Sequence, residues 1–186
     1  MLRLVATVAL AYLPTLVGAA AQRTFVSGSG VDNPACSLVA PCRSFSAAML
    51  QTVVGGEIII VDSAGYGVIT IAKAISIIAP SGVYAGISVF AGTDGVTINA
   101  PGATVVLRGL SINGQGGRWG IYLQNAARMR VENCVVSNMA QEGIRHAASG
   151  AEMIVLDTIV RDNGGFGINI LVDTQNGSVS YRLAYP

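Results

Sequence analysis

The sequence predicts an all-β fold: a right-handed parallel β-helix (solenoid) with a short N-terminal capping helix. Three observations predict it. First, Val131-Glu132-Asn133-Cys134-Val135-Val136-Ser137-Asn138 lies 24 positions before Val155-Leu156-Asp157-Thr158-Ile159-Val160-Arg161-Asp162. Second, apolar residues match apolar residues in that alignment, while Asn133 and Asn138 match Asp157 and Asp162. Third, the apolar runs are short, rich in β-branched residues and broken by Gly, Asn, Asp, Ser or Pro, with no helical stretch between them. A doubly wound α/β fold needs crossover helices of about a dozen residues. A β-sandwich has short strands but no reason to keep one offset. A solenoid requires the offset, because each coil rests on its neighbour at one strand spacing and equivalent side chains stack in columns.

The elements follow in chain order. Residues 1–21 read as a signal peptide, with Arg3 at the start, an apolar run over 4–13, Pro14, and small residues Gly18-Ala19-Ala20-Ala21 at the cleavage site. The cut falls after Ala21, leaving Gln22 as the mature start. The apolar run is short for a bilayer span, so no membrane span is expected after cleavage. Residues 22–56 read as an N-terminal cap, since an open strand edge invites pairing with other chains. The cap holds a strand over 24–27, a turn-rich loop over 28–42 and a short helix over 45–52 with Ser44 as N-cap. Phe45, Ala48, Met49 and Thr52 share the helix face that would lie on the first coil. Cys36 and Cys42 flank a Pro41-containing loop in a chain that reads as exported, which predicts a disulfide. Gly55-Gly56 is expected to end the helix and launch a strand over 57–61.

Residues 57–186 are assigned to the coils. Further strands are expected over 68–71, 75–78, 87–90 and 96–98. Leu107, Leu110 and Ile112 fall 24 positions before Val131, Cys134 and Val136, and Gly120-Ile121-Tyr122-Leu123 precedes Gly143-Ile144-Arg145-His146 by 23. After Ile170 the pattern fades, with a last strand expected over 178–183. Two readings of this end stay open: the tail folds over the last coil, or the chain is a shortened relative of longer proteins.

Segments such as Gly120-Ile121-Tyr122-Leu123-Gln124-Asn125, followed by the Val131 to Asn138 run, resemble the repeats of the right-handed parallel β-helix (pectin-lyase-like) superfamily. The resemblance covers roughly residues 55 to 170. It implies the cap described above and a glycan-binding sheet face. It leaves function wide, since the superfamily holds lyases, glycosidases and adhesins. Its lyases hold calcium with clustered carboxylates beside an arginine base, and its hydrolases carry an Asp pair, a Gly-His-Gly and an Arg-x-Lys. None of these sets occurs here. No catalytic residue, metal ligand or cofactor is therefore assigned, with calcium expected only if the protein is lyase-like. Asp157 and Asp162 are the nearest thing to a pair and read as turn residues. His146, the single histidine, aligns with Leu123 and Ile170 and reads as core. Cys134 occupies an apolar repeat position and reads as a small hydrophobe.

The ligand-contact candidates come from strand parity. Arg145 points opposite to His146, level with Tyr122 and Asn169, on the sheet where the resembled superfamily binds glycans. Trp119, the sole tryptophan, stands just before that strand beside Arg118. Exposed, it would suit stacking on a sugar ring; the alternative is a ring tucked against the coil edge. Gly114 to Gly117 lacks a Gly-Lys-Ser/Thr and opens no helix, so it is not a phosphate loop. Eleven Lys+Arg against ten Asp+Glu give a net charge of +1, and Lys73 is the only lysine, which excludes a nucleic-acid surface. The resulting expectation is a secreted or periplasmic, non-catalytic protein that contacts a polysaccharide or cell-surface glycan, or serves as a structural module. The alternative is a polysaccharide-degrading enzyme, pectate-lyase-like or glycoside hydrolase, or a truncated fragment of one. Oligomeric state is not readable from the sequence.

Overall fold

The computed structural model describes residues 20–171 and, as backbone only, 180–184. The body of the expected signal peptide, residues 1–19, lies outside the described residues.

β1 (Ala21–Val26) is followed by a loop closed by the Cys36–Cys42 disulfide and by α1 (Phe45–Gln51). Ser44 caps the helix, its hydroxyl accepting from the Ala47 N–H at 3.1 Å. Asp32 reaches back to fix that cap, accepting from the Arg43 and Ser44 N–H groups at 2.8 and 2.9 Å. Phe45 and Ala48 are buried, and the Phe45 ring packs on Tyr66 of the first coil at 5.3 Å. At the other end the Lys73 ammonium donates to the carbonyls of Met49, at 2.6 Å, and Thr52. The only lysine is thus spent on closing the helix, where orphan carbonyls favour a cation.

One boundary departs from expectation. The helix stops at Gln51 and β2 (Thr52–Ile60) begins at once, before the glycine pair. Gly55 lies inside the strand at φ +77°, where the partners shift from Ala21–Thr52 to Arg23–Glu57. The glycines make a bulge rather than a stop.

The coils follow: β3 (Ala64–Gly65) and β4 (Ile69–Ile71); β5 (Ile75–Ile78), β6 (Ala85–Phe90) and β7 (Val96–Asn99); β8 (Thr104–Arg108), β9 (Leu110–Gln115) and β10 (Ile121–Asn125); β11 (Arg128–Glu132), β12 (Val135–Ser137) and β13 (Ile144–His146); β14 (Glu152–Leu156), β15 (Ile159–Arg161) and β16 (Ile168–Ile170); and β17 (Ser180–Ala184). They form three parallel sheets. The first has the order β1-β2-β5-β8-β11-β14-β17, the second β3-β6-β9-β12-β15 and the third β4-β7-β10-β13-β16. The last strand begins at Ser180 and pairs with β14; the preceding residues 172–179 lie outside the described set.

The predicted columns are present. Val131 sits between Leu107 and Val155, Val136 between Ile112 and Val160, and Ile144 between Ile121 and Ile168. The earlier coils keep the stacking but not the spacing: Ile58 pairs with Ile77, and Ile77 with Leu107. Cys134 is buried in its apolar column, and burial pushes its thiol up to about 11.

The bends explain the polar columns. Gly109, Asn133 and Asp157 stack at the corner between the first and second sheets with φ of +74°, +51° and +47°. Asn138 and Asp162 do the same after the second sheet, at +61° and +54°. Glycine, asparagine and aspartate tolerate this left-handed conformation where other residues are strained. Asp157 and Asp162 are therefore turn formers.

Candidate functional site

The outer face of the third sheet carries one row across its five strands: Thr70, Thr97, Tyr122, Arg145 and Asn169. His146 takes the opposite parity, level with Leu123 and Ile170, and is fully enclosed. Its Nε2 lies 3.3 Å from the Ala151 carbonyl and its Nδ1 has no partner. Burial holds its pKa below the ordinary histidine value.

A second row borders the first. Gly95, Gly120, Gly143 and Gly167 stack before the third-sheet strands, linked by bonds such as Val96 N–H to Gly120 O at 2.9 Å and Ile144 N–H to Gly167 O at 2.9 Å. A β-carbon at Gly120 would fall 2.3 Å from the Val136 side chain and 2.7 Å from the Gly143 carbonyl, so the chain must be bare here. The residues just ahead, Asp94, Trp119, Glu142 and Phe166, form the rim.

Row and rim meet at Trp119. Its ring lies 4.6 Å from the Tyr122 ring, tilted by 52°. The guanidinium groups of Arg118 and Arg145 sit over it at 4.0 and 4.6 Å. Arg118 is also held by Asp94 through two bonds of 3.0 and 2.8 Å. Glu142 Oε1 accepts from Asn169 Nδ2 at 2.9 Å and Arg145 Nη1 at 3.4 Å. Burial works against the Glu142 carboxylate, but hydrogen bonding, led by the Asn169 amide, and the Arg145 charge outweigh it and hold the pKa below the ordinary value. The Trp119 indole N–H is close enough to contribute to that lowering, yet neither it nor Glu142 Oε2 nor Arg145 Nε closes a hydrogen bond.

All four predicted contact residues thus fall into one cluster. Trp119 is half-buried with cations stacked over its ring, which matches the tucked alternative better than an open stacking platform. Glu142, Asp94 and Phe166 were not read from the sequence; the stacked glycines behind them were the available signal.

The chemistry is that of a preorganised polar patch. Asp94 and Glu142 lie two rungs apart on the rim, which sets their backbones about 10 Å apart at one strand spacing per rung. Inverting glycosidases need one carboxyl of their pair kept protonated by a raised pKa. Glu142 is shifted the other way and Asp94 is held by Arg118. Among the described residues no group of three or more His, Cys, Asp and Glu is placed to hold a metal.

Comparison with known proteins adds the following. A family model described as right handed beta helix region matches residues 57–181. No curated protein matches the chain. Among solved structures, the crystal structure of pectate lyase Pel9A aligns with 16% identity and a TM-score of 0.48, covering 90% of this chain and 63% of that one. The chain thus spans less than two thirds of that enzyme's length.

Proposed function

The chain belongs to the family of right handed beta helix regions, and from that premise we propose that it is a secreted, non-catalytic protein that contacts glycans through the outer face of the third sheet. The observation that carries this reading is the convergence of Trp119, Tyr122, Arg145 and Asn169 around Glu142. Charge and hydrogen-bonding groups are held in place beside an aromatic pair, which is what a surface that grips a hydroxyl-rich chain needs. Trp119 braces Arg145 by stacking, while Tyr122, Arg145 and Asn169 present donors and acceptors from successive rungs. The Cys36–Cys42 disulfide fits an oxidising compartment. No helix among the described residues is long and apolar enough to cross a membrane.

The test uses the sole tryptophan as reporter. Titration with a panel of acidic and neutral oligosaccharides should change Trp119 fluorescence, and Arg145→Ala and Tyr122→Ala should each weaken that response at least tenfold. The alternative is a polysaccharide-degrading enzyme. Release of unsaturated product from pectin or alginate, with and without calcium, or of reducing ends, would replace the non-catalytic reading with it.

A further inference from the structure

The corner between the first and second sheets holds a hollow. Its floor begins on the outer face of the first sheet, where Ile59, Ile78, Arg108, Glu132 and Leu156 follow one another along one row. Its wall is the 79–83 loop, which is pinned at both ends. Ala79 N–H donates to the Arg108 carbonyl at 2.9 Å, and Tyr84 N–H donates to Ser63 Oγ at 2.9 Å. Between them Val83 N–H closes a turn onto the Pro80 carbonyl at 3.1 Å, with Gly82 at φ +87°. The loop lies close on the corner column: a β-carbon at Gly109 would fall 2.6 Å from the Ala79 carbonyl oxygen. That contact explains why this rung carries glycine where the next two carry Asn133 and Asp157. The space sheltered by the loop is about 580 Å³, within the range of small-molecule sites.

The lining combines Ile78, Pro80 and Val83 with Ser81, Arg108 and Asn133, and Arg108 is the only lining residue that ionises. Its Nε and Nη2 both contact Glu132 Oε2, at 2.6 Å each. Its Nη1 group and one Nη2 N–H have no partner among the described residues. Nor does Glu132 fully neutralise it, because the second Glu132 oxygen is taken by Arg130. Two guanidiniums therefore share one carboxylate. That carboxylate is covered, its side chain 8% exposed against 45% for Arg108, so the hollow meets the cation. The neighbouring Arg128 and Glu152 pair with each other. The acid nearest along the corner column is Asp157, one rung beyond Asn133 and outside the lining.

We propose that this hollow is a second binding site, separate from the Trp119 cluster, and that it takes a small organic anion with a carboxylate head and an apolar body. The sign of the ligand follows from the lining: its one ionised group is a cation with unused N–H donors, which attract a carboxylate and repel an ammonium. The open Nη1 and Nη2 end of Arg108 offers a planar pair of donors that matches the two oxygens of a carboxylate. The Asn133 amide adds a neutral donor beside it. Ile78, Pro80 and Val83 give the body an apolar surface, which a bare inorganic anion leaves unused. The pinned loop holds the space open before binding, so little ordering is needed when the ligand enters.

Titration with cinnamate, with its neutral isostere cinnamamide and with inorganic phosphate, followed by calorimetry or ligand-observed NMR, tests this. Cinnamate should bind, and cinnamamide and phosphate should each bind at least tenfold more weakly. Arg108→Gln should lose at least tenfold in cinnamate affinity. Two isosteric exchanges test the charge without disturbing the corner, since the column already holds both asparagine and aspartate at positive φ. Asn133→Asp sets a negative charge about 5 Å from the head and should weaken cinnamate about fourfold, while Asp157→Asn removes one about 10 Å away and should tighten it about twofold. Thermal melting verifies that each variant is folded. Arg145→Ala should leave cinnamate affinity unchanged, which separates this site from the third sheet. The proposal is overturned if cinnamate does not bind, if cinnamamide or phosphate binds as tightly, if affinity is indifferent to Asn133→Asp and Asp157→Asn, if a folded Arg108→Gln protein binds as the parent does, or if Arg145→Ala abolishes binding.

Discussion

His146→Leu should stabilise the protein, and more so as pH falls. The imidazole occupies an inward position between Leu123 and Ile170, closed to solvent, with Nδ1 unpaired and Nε2 on the Ala151 carbonyl. An unsatisfied buried nitrogen costs about 1–3 kcal/mol, and the bond given up on substitution contributes about 1 kcal/mol. Leucine of similar volume continues the column, so the net gain near pH 7.5 is about 1 kcal/mol. The pH dependence has a fixed sign. Burial lowers the folded-state pKa below the unfolded value of about 6.5. Below that value the unfolded chain binds a proton that the folded chain refuses, so wild-type stability falls with pH until the folded pKa is reached. Each pH unit in that window is worth about 1.4 kcal/mol. His146 is one rung from the last described coil, where Ile170 is only partly buried, which moderates the shift. The variant's advantage should therefore grow as pH falls from 7.5 toward 5. Carboxylates such as Glu142 titrate equally in both proteins and cancel in the difference. Urea unfolding of the two proteins across this range measures it. Parallel stability curves would refute the buried, neutral imidazole.

Other perturbations test the cap and the corners. Lys73→Met should lose about 1–3 kcal/mol, because the Met49 and Thr52 carbonyls at the end of α1 lose their donor; thermal melting reads this. Asn133→Ala should cost about 1 kcal/mol at its positive φ while Asn133→Gly is nearly neutral, and equal losses in chemical unfolding would show that the corner column works through side-chain bonds instead. Cys36→Ser with Cys42→Ser should lower stability by about 2 kcal/mol, and the wild type in reductant should melt as the double variant does.

The later coils were legible because their columns repeat without insertion. A constant offset places Val131 over Leu107 and under Val155, and parity then fixes that Arg145 faces out while His146 faces in. In the early coils the strands expected over 68–71, 75–78, 87–90 and 96–98 are present, but their register was not legible, because insertions break the spacing: the 79–84 loop lies between Ile77 and Leu107, and β3 is too short to leave a pattern. Glycine suits a helix end and a strand bulge equally well, so the pair at 55 and 56 does not by itself mark where the helix stops; Lys73, 21 residues beyond Thr52, donates to the Met49 and Thr52 carbonyls ahead of that pair. Trp119, Tyr122, Arg145 and Asn169 were placed on or beside their strands, but the carboxylates were not, since Glu142 and Asp94 belong to loops whose alignment shows only in the glycines that follow them.

The rung-by-rung geometry also explains how the third-sheet site could be assembled. In a solenoid, neighbours across a sheet come from residues about one coil apart in sequence, so a compact set must recur in the chain at coil spacing. Tyr122, Arg145 and Asn169 do so on the row, and Trp119 and Glu142 on the rim. Glu142 shares its Oε1 between Arg145 and Asn169, residues from two successive coils. Its negative charge tethers Arg145 while the guanidinium stacks over the Trp119 ring, so the guanidinium loses little further freedom on meeting a ligand. Replacing Glu142 with Gln tests that arrangement: the charge on Arg145 remains, but its tether weakens. If rigid placement is what the cluster supplies, glycan affinity should fall about as far as in Arg145→Ala. If only the positive charge matters, Glu142→Gln should bind acidic glycans more tightly.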